Sequence, residues 1–214
     1  SGAMAIKKLA LCHKSHVVSV VLIVTIWGLV AFGVLGHWLE SMLLTHMLLE
    51  YPLLVAIGAL LANCFRNRLS PWWQLWNGGG IAGILIASFT LAFWMIPRWL
   101  DASISEPFVA AAKHLSLPLL VGLPLAMSWP RLHSIAQGLV KIEFLTMLLR
   151  LGWLYLISPV RLCNNYLLNE QVWLGQGFLL IALALAITWL IPVFFGSCTD
   201  ASASSMSKKL GAAD

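Results

Sequence analysis

A methionine, a histidine and a glutamate lie close together in one strongly apolar stretch of this sequence. His46 and Glu50 are four residues apart, and Met42 comes four residues before His46. Residues four apart lie on the same face of an α-helix, so these three side chains would share one side. Imidazole, carboxylate and thioether groups are all ligands of transition metals. The spacing therefore predicts a metal site that includes these three residues.

The composition places this site in a membrane protein. Of the 214 residues, 60% are hydrophobic and 10% are charged, and soluble domains do not show such an excess of apolar residues. A stretch of about 20 apolar residues is long enough to cross a bilayer as a helix. Stretches of this kind cover residues 17–36, 41–63, 79–97, 107–128, 134–158 and 172–195. The predicted fold is an all-α membrane protein, a bundle of six transmembrane helices in contact with the lipid bilayer.

The basic residues predict the orientation of this bundle. Those expected on one side of the membrane are Lys7, Lys8, Lys14, Arg66, Arg68, Arg131, Lys208 and Lys209. Arg98 and Arg161 are expected on the other side. Because cytoplasmic loops carry an excess of Lys and Arg, both termini are predicted in the cytoplasm, and the chain in a cell inner membrane. The net charge of +5 then reflects orientation and does not indicate a nucleic-acid partner.

The two ends of the chain are predicted to lie outside the bundle. Residues 1–16 are interpreted as a tag remnant followed by a cytoplasmic N-terminal segment. Residues 197–214, rich in Ser, Ala and Lys, are interpreted as a disordered cytoplasmic tail. The transmembrane domain would occupy residues 17–196. Among the four cysteines, Cys163 is expected on the outer side of the membrane, and no disulfide pair is indicated.

Polar residues on other spans are predicted at a depth similar to that of His46. With a rise of about 1.5 Å per residue, His46, His114 and Arg150 would lie roughly 8, 10 and 12 Å from the outer ends of their helices. Ionisable groups are costly in a membrane and usually face the bundle interior. We therefore expect His46 and His114 to approach closely enough to share a ligand. Arg150 is expected to face the interior and to pair with Glu50, Glu143 or an anionic partner.

Metal binding is the first function that these residues indicate. His46, Met42, Glu50 and His114 are the predicted ligands. Histidine and methionine together suit copper, and softer ligands favour Cu(I). An outer-leaflet site is also where copper from outside the cytoplasm would be received.

Two other functions fit the same residues. The first is electron transfer by haem b, with His46 and His114 as axial ligands from two helices and Arg150 or Lys113 on the propionates. The second is a structural or interaction subunit without a cofactor, in which buried polar residues set the packing of the helices. A visible spectrum and an elemental analysis would distinguish the three functions.

The sequence contains no motif that predicts catalysis. The Gly-x-Ser-x-Gly and His-Glu-x-x-His patterns are missing, so no catalytic residue is assigned and an enzyme is less favoured than a binding protein. The glycines at 78–80 do not follow a strand and lack the lysine of a phosphate loop. Gly79, Gly83 and Ala87 instead form a ridge of small residues, which predicts close packing against another helix.

The run that contains His46 resembles a region of a known family. The residues His46-Met47-Leu48-Leu49, followed by Pro52-Leu53-Leu54 and Gly58, are similar to the second span of the integral-membrane cytochrome c oxidase assembly factors. That family carries His-Met-Leu-Leu followed by Pro-Leu-Leu-x-x-Gly, usually with a second histidine where this chain has Met42, and with a longer spacing from His to Pro. The resemblance implies copper insertion into a respiratory oxidase. It also implies His46 as a metal contact and other membrane proteins of the respiratory complex as partners.

Overall fold

The computed structural model describes residues 18–31, 33–160 and 166–195, and every regular element in these ranges is helical. The α-helices, in chain order, are α1 Val18–Ala31, α2 Val34–Leu39, α3 Leu43–Thr45, α4 Tyr51–Trp76, α5 Ile81–Trp94, α6 Pro97–Ser105, α7 Pro107–Ser116, α8 Leu123–Ser128, α9 Ser134–Ile157 and α10 Leu168–Phe195. The prediction of an all-α fold is thus confirmed. The predicted end segments 1–16 and 197–214, and Cys163, lie outside the described residues.

Two long helical stretches contain π-helical segments. His46–Glu50 joins α3 to α4, and Leu117–Gly122 joins α7 to α8. Each segment lies just before a proline, Pro52 in the first case and Pro124 in the second. Because proline has no backbone N–H, the turn before it cannot complete its i→i−4 hydrogen bonds, which favours local widening of the helix. Both segments lie close to the polar residues discussed below.

Three helical stretches are long and apolar enough to cross a membrane individually, and they cover Leu43–Arg66, Pro107–Arg131 and Leu168–Pro192. A fourth candidate consists of α5 and α6 together, which are bent by 71° relative to each other. The bend follows Ile96, which is extended (φ −70°, ψ 125°) because a residue before proline avoids the helical region. The described residues therefore contain three candidate spans, or four if the bent pair counts as one.

The other two predicted spans correspond to α1 and α9, which are not among the candidate membrane spans. α1 is apolar but shorter than a span. α9 has 24 residues, which is long enough, but it carries Lys141, Glu143 and Arg150. Three charges within one helix are unusual for a segment that faces lipid.

Large apolar side chains cover the outer surfaces of the helices. On α5, Ile81, Leu85 and Phe89 are spaced four residues apart and are all exposed, so they form one continuous apolar face. A soluble protein rarely exposes apolar surface of this extent. Together with the candidate spans, these surfaces identify a membrane protein whose helices contact the bilayer.

α4 crosses the stretch from α7 to α8 at two glycines. A Cβ atom on Gly58 would overlap the carbonyl of Pro118, and a Cβ atom on Gly122 would overlap the carbonyl of Val55. The two backbones are therefore in direct contact, as small residues allow in membrane helices. This contact sets the distance between the two stretches where they cross.

The glycine ridge predicted on α5 packs closely at two of its three positions. Gly83 and Ala87 are buried, whereas a Cβ on Gly79 would meet open space. Beside Gly83, Asn77 Nδ2 donates to Ser128 Oγ at 2.7 Å, and Asn77 Oδ1 accepts from the Gly83 N–H at 3.1 Å. These bonds join the end of α4, the start of α5 and the end of α8.

α9 packs along α10 through one pair of glycines. A Cβ on Gly152 would lie 3.0 Å from the carbonyl oxygen of Gly175. The buried residues of α9 are Leu148, Gly152 and Tyr155, which share the side that faces the bundle. The opposite side of α9 is exposed.

Candidate functional site

Five ionisable side chains meet near the start of two long helical stretches. His46 and Glu50 lie on the first π-helical segment, and Lys113 and His114 lie at the end of α7. These four residues are between 0% and 4% exposed. Glu40, which follows α2, completes the group. We refer to these five residues as the polar cluster.

The ammonium of Lys113 contacts three acceptors of the polar cluster. Its Nζ lies 2.7 Å from Glu50 Oε1, 2.8 Å from Glu40 Oε1 and 3.3 Å from His46 Nε2. An ammonium has three N–H donors, which is the number of acceptors around it. A buried charge is costly unless it is paired, and here two carboxylates supply the pairing.

The neighbours of His46 determine which of its nitrogens carries a hydrogen. Because the Lys113 ammonium can only donate, His46 Nε2 is the acceptor and Nδ1 is protonated. Nδ1–H then donates to the hydroxyl of Tyr166, 3.0 Å away, and that hydroxyl donates to the backbone carbonyl of Glu40 at 2.8 Å. Tyr166, which precedes α10, thus connects two residues of the polar cluster.

His114 and Glu50 face each other across a position that requires a cation. His114 Nδ1 lies 2.8 Å from the carbonyl of Ala110, which can only accept, so this nitrogen carries a hydrogen. His114 Nε2 lies 3.2 Å from Glu50 Oε1. In a neutral imidazole Nε2 would then present a lone pair to a carboxylate. Two acceptors at this distance need either a proton or a metal ion between them.

The two histidines meet at the same carboxylate. His46 Nε2 is 3.9 Å from Glu50 Oε2, and His114 Nε2 approaches the other oxygen. The structure therefore brings His46 and His114 together, and it places Glu50, which the four-residue spacing grouped with His46, between them. Both imidazoles share Glu50 as a common neighbour.

Three residues of the polar cluster could hold a metal ion. Glu40, Glu50 and His114 each offer one ligand atom, and these atoms lie within 4.8 Å of one another. Within the described part of the chain, neither oxygen of Glu50 nor Nε2 of His114 makes a well-aligned hydrogen bond. Lys113 lies against Glu50 Oε1 at 2.7 Å, so a metal ion could coordinate these atoms once Lys113 moves aside. Carboxylate oxygen and imidazole nitrogen suit divalent metals, Cu(II) among them.

The structure places Met42 outside the polar cluster. Its side chain is 57% exposed and lines a small surface cavity with Leu44, Glu170 and Trp173. The backbone explains this position, because Met42 is extended (φ −129°, ψ 140°) and the helix begins only at the next residue. The four-residue spacing from Met42 to His46 therefore does not place the two side chains on one helix face.

Arg150 also lies away from the polar cluster. It is exposed on α9 and makes no ion pair with the residues that the structure describes. The depth of Arg150 in its predicted span indicates a side chain that faces the bundle interior, and this prediction is wrong. The interior side of α9 instead carries Gly152, two residues further on, and side chains two apart point to different sides of a helix.

A haem would need a different arrangement of the two histidines. The iron of a bis-histidine haem lies between two imidazole nitrogens, whereas in this structure Glu50 lies between His46 and His114. The cavity that reaches His114, beside Trp27 and Pro118, has a volume of about 190 Å³. Ligand pockets for drug-sized molecules usually measure about 300–1,000 Å³. The residues present therefore do not form a ready haem pocket.

Sequence reasoning missed three contributors to this site. Lys113 was considered only as a partner of haem propionates, although a lysine next to a histidine in an apolar helix signals a buried ion pair. Glu40 and Tyr166 come from segments between helices, where helical spacing gives no information. Glu40 would have been found only by asking which acid could pair with Lys113.

No protein-family model, curated protein or solved structure matches this chain. The geometry of the polar cluster is therefore the basis for a functional proposal.

Proposed function

We propose that this chain is a membrane protein that binds a divalent transition metal, copper in particular, at the polar cluster. The observation that supports this proposal is the 3.2 Å separation between Glu50 Oε1 and His114 Nε2, two acceptor atoms that either a shared proton or a metal ion can bridge. With metal–ligand distances of about 2.1 Å, two ligand atoms at this separation subtend an angle of about 100° at the metal. That angle suits both tetrahedral and square-planar coordination. Glu40 offers a third ligand atom.

Lys113 sets the conditions under which a metal binds. Its ammonium contacts both candidate carboxylates, so an incoming metal ion has to displace it. The four-carbon stem of lysine is flexible enough for such a movement. Lys113 thus balances one of the two negative charges of Glu40 and Glu50 when no metal is bound, and it competes with the metal for both carboxylates.

The metal proposal is tested by elemental analysis of the purified protein. After dialysis against Cu²⁺ and, separately, Zn²⁺, the wild type should retain about one equivalent of metal, with Cu²⁺ preferred. Glu50→Gln and His114→Leu should lose it. His133→Gln is the matched control, because His133 is exposed at the start of α9. A wild type that retains no metal, or a Glu50→Gln protein that retains as much, contradicts the proposal.

A cofactor-free structural role is the second candidate. It is favoured by the close pairing of Lys113 with Glu40 and Glu50, since buried ion pairs can fix the register of helices. A colourless, metal-free protein in the dialysis experiment supports this role. A Soret band in its visible spectrum would instead indicate haem b.

We further propose six spans, with both termini in the cytoplasm and the chain in a cell inner membrane. The distribution of Lys and Arg supports this orientation, and a helix lies at each predicted span. Labelling intact cells from outside with a thiol reagent should reach Cys163 and should not reach Cys198. The opposite labelling pattern would overturn the topology.

Copper insertion into a respiratory oxidase is the process that the resemblance around His46 suggests. A strain without this chain should assemble an oxidase with reduced copper content. Wild-type protein should restore the copper, and Glu50→Gln should not. Normal copper content of the oxidase in the deletion strain would exclude this process. It would not contradict metal binding by the chain, which the dialysis experiment tests separately.

A further inference from the structure

The exposed face of α9 carries a regular row of side chains. The row, called the seam below, consists of Ile135, Leu139, Ile142, Thr146, Leu149 and Trp153. Thr146 is half-buried, and the other five are exposed, Trp153 by 64%. The spacing alternates between four and three residues, as in a helix that packs along another helix. The seam therefore has the pattern of an interface.

Two charged residues flank the seam on the same side. Glu143 follows Ile142, and Arg150 follows Leu149, so the two charges are seven residues apart and lie on one face. Both are exposed, and neither forms an ion pair within the described ranges. If the seam residues are assigned to heptad positions a and d, Glu143 and Arg150 both fall at position e. Charged residues at this position form ion pairs between helices and determine which partner helix binds.

Contact with lipid would be energetically costly for the face of α9 that carries Glu143 and Arg150. Glu143 is nine residues from Ser134, and Arg150 is seven residues from Ile157, which places them about 13 Å and about 10 Å from the two ends of the helix. An arginine can extend towards the headgroups, but the shorter glutamate reaches less far. A charge at this depth usually faces protein or water.

A second copy of this chain does not supply the missing charges. In a parallel pair of helices the flanking residues would face Gly138, Leu145 and Gly152 of the copy, which carry no charge. Gly152 is also packed against Gly175. A copy in the opposite orientation would match Glu143 with Arg150, but the Lys and Arg asymmetry directs all copies one way.

We propose that the seam binds one transmembrane helix of a different protein. That helix carries an acidic residue level with Arg150 and a basic residue level with Glu143, and its apolar residues pack on the seam. The proposal rests on the proposed six-span topology, in which α9 crosses the membrane. It does not depend on metal binding, because the seam lies on the side of α9 away from Gly152 and Tyr155, which face the bundle.

Synthetic membrane-spanning peptides of leucine and alanine test this proposal. One peptide has Lys level with Glu143 and Glu level with Arg150, a second has these two charges exchanged, and a third has neither. A lysine tract at one end orients each peptide in vesicles that contain the full-length protein. Association is measured by energy transfer to a fluorophore on a C-terminal tag.

The complementary peptide should associate at least tenfold more tightly than the exchanged one. The protein variant Glu143→Arg/Arg150→Glu should reverse this preference. Lys141→Glu is the matched control, because Lys141 packs over Trp189 of α10 and should leave the preference unchanged. Equal association of all three peptides overturns the proposal. Self-association of the wild type that is lost in the single variant Glu143→Arg also overturns it, in favour of a second copy whose Arg150 would face the new arginine. If the double variant does not fold, the proposal is still tested by the preference of the wild-type protein for the complementary peptide over the exchanged one.

Discussion

Lys113 Nζ lies 2.7 Å from Glu50 Oε1, and both side chains are fully buried. The two residues come from different helices, Lys113 from α7 and Glu50 from the π-helical segment before α4. This ion pair joins two of the candidate spans at their polar ends. Each partner depends on the other, because a single buried charge left in this place has no water to solvate it.

Replacing Lys113 should destabilise the protein strongly. Lys113→Met leaves Glu50 and Glu40 without their common cation, and removal of one partner of a buried pair costs about 3–5 kcal/mol. The double change with Glu50→Gln should recover much of this loss. Unfolding in detergent, followed by circular dichroism, measures both effects. Lys141→Met serves as the control, since its contact with Trp189 is worth about 1 kcal/mol. If Lys113→Met has the same free energy of unfolding as the wild type, the ammonium of Lys113 does not stabilise Glu40 and Glu50.

Loss of Lys113 should also strengthen metal binding. Without the ammonium, a metal ion has no competitor for the two carboxylates. Titration calorimetry with Cu²⁺ should show a lower Kd for Lys113→Met than for the wild type, by at least tenfold. Bound metal should also restore part of the lost stability, because a ligand that binds only the folded state stabilises it. A higher Kd would show that Lys113 assists the metal and does not compete with it.

The hydroxyl of Tyr166 should be energetically coupled to His46. Tyr166→Phe removes the group that bonds both His46 Nδ1 and the Glu40 carbonyl, and leaving buried polar groups unpaired costs about 1–3 kcal/mol. A double-mutant cycle with His46→Leu isolates the pair. We expect a coupling energy above about 0.5 kcal/mol. Additive effects of the two changes would show that the hydroxyl acts on Glu40 alone.

An added methyl group should have opposite effects at two glycines. Gly58→Ala places a Cβ against the carbonyl of Pro118, and forcing extra volume into a packed contact costs about 1–3 kcal/mol. Gly138→Ala meets nothing within 4 Å and should stabilise α9 by about 0.5–1 kcal/mol, because alanine favours helix more than glycine does. Equal thermal stability of the two variants would mean that α4 and α7–α8 are not in backbone contact.

Asn77 should contribute to stability through two hydrogen bonds. Asn77→Ala removes both the bond to Ser128 Oγ and the acceptor of the Gly83 N–H, so the expected loss is about 1–3 kcal/mol. Ser128→Ala removes only one bond and should cost less. Both losses are measured by the same unfolding assay. A larger loss for Ser128→Ala than for Asn77→Ala would show that the hydrogen bonds of Asn77 are not the main stabilising interaction here.

Much of the fold could be predicted from apolar segment length alone. A helix lies within each predicted span, although only three of the helical stretches, or four with the bent pair, are candidate membrane spans. A helix satisfies all of its backbone hydrogen bonds within one segment, as a membrane requires. The bend after α5 was not predicted, although the Ile96-Pro97 pair carries its signal. Proline shows where a helix is interrupted, but it does not show the angle, 71° in this case, at which the chain continues.

The candidate site could be predicted where helical spacing applied. Glu50 was grouped with His46 by its four-residue spacing, and His114 was added because depth along a helix is countable from the sequence. Met42 was misplaced because its backbone is extended, and Arg150 because periodicity does not tell which face of α9 is buried. The buried face is selected by Gly152 and its contact with Gly175, which is a property of two helices together.

The glycines at the crossing of the two candidate spans have a consequence for the width of the site. Gly58 lies eight residues after Glu50, and Gly122 lies eight residues after His114, so each ligand lies about 12 Å along its helix from the crossing. If the two helical stretches change their crossing angle by about 10°, the ends that carry Glu50 and His114 move relative to each other by about 2 Å. The glycine contact is thus a pivot. The angle between the two helices at this crossing therefore contributes to the distance between the Glu50 carboxylate and the His114 imidazole, together with the ion pair of Lys113 with Glu50.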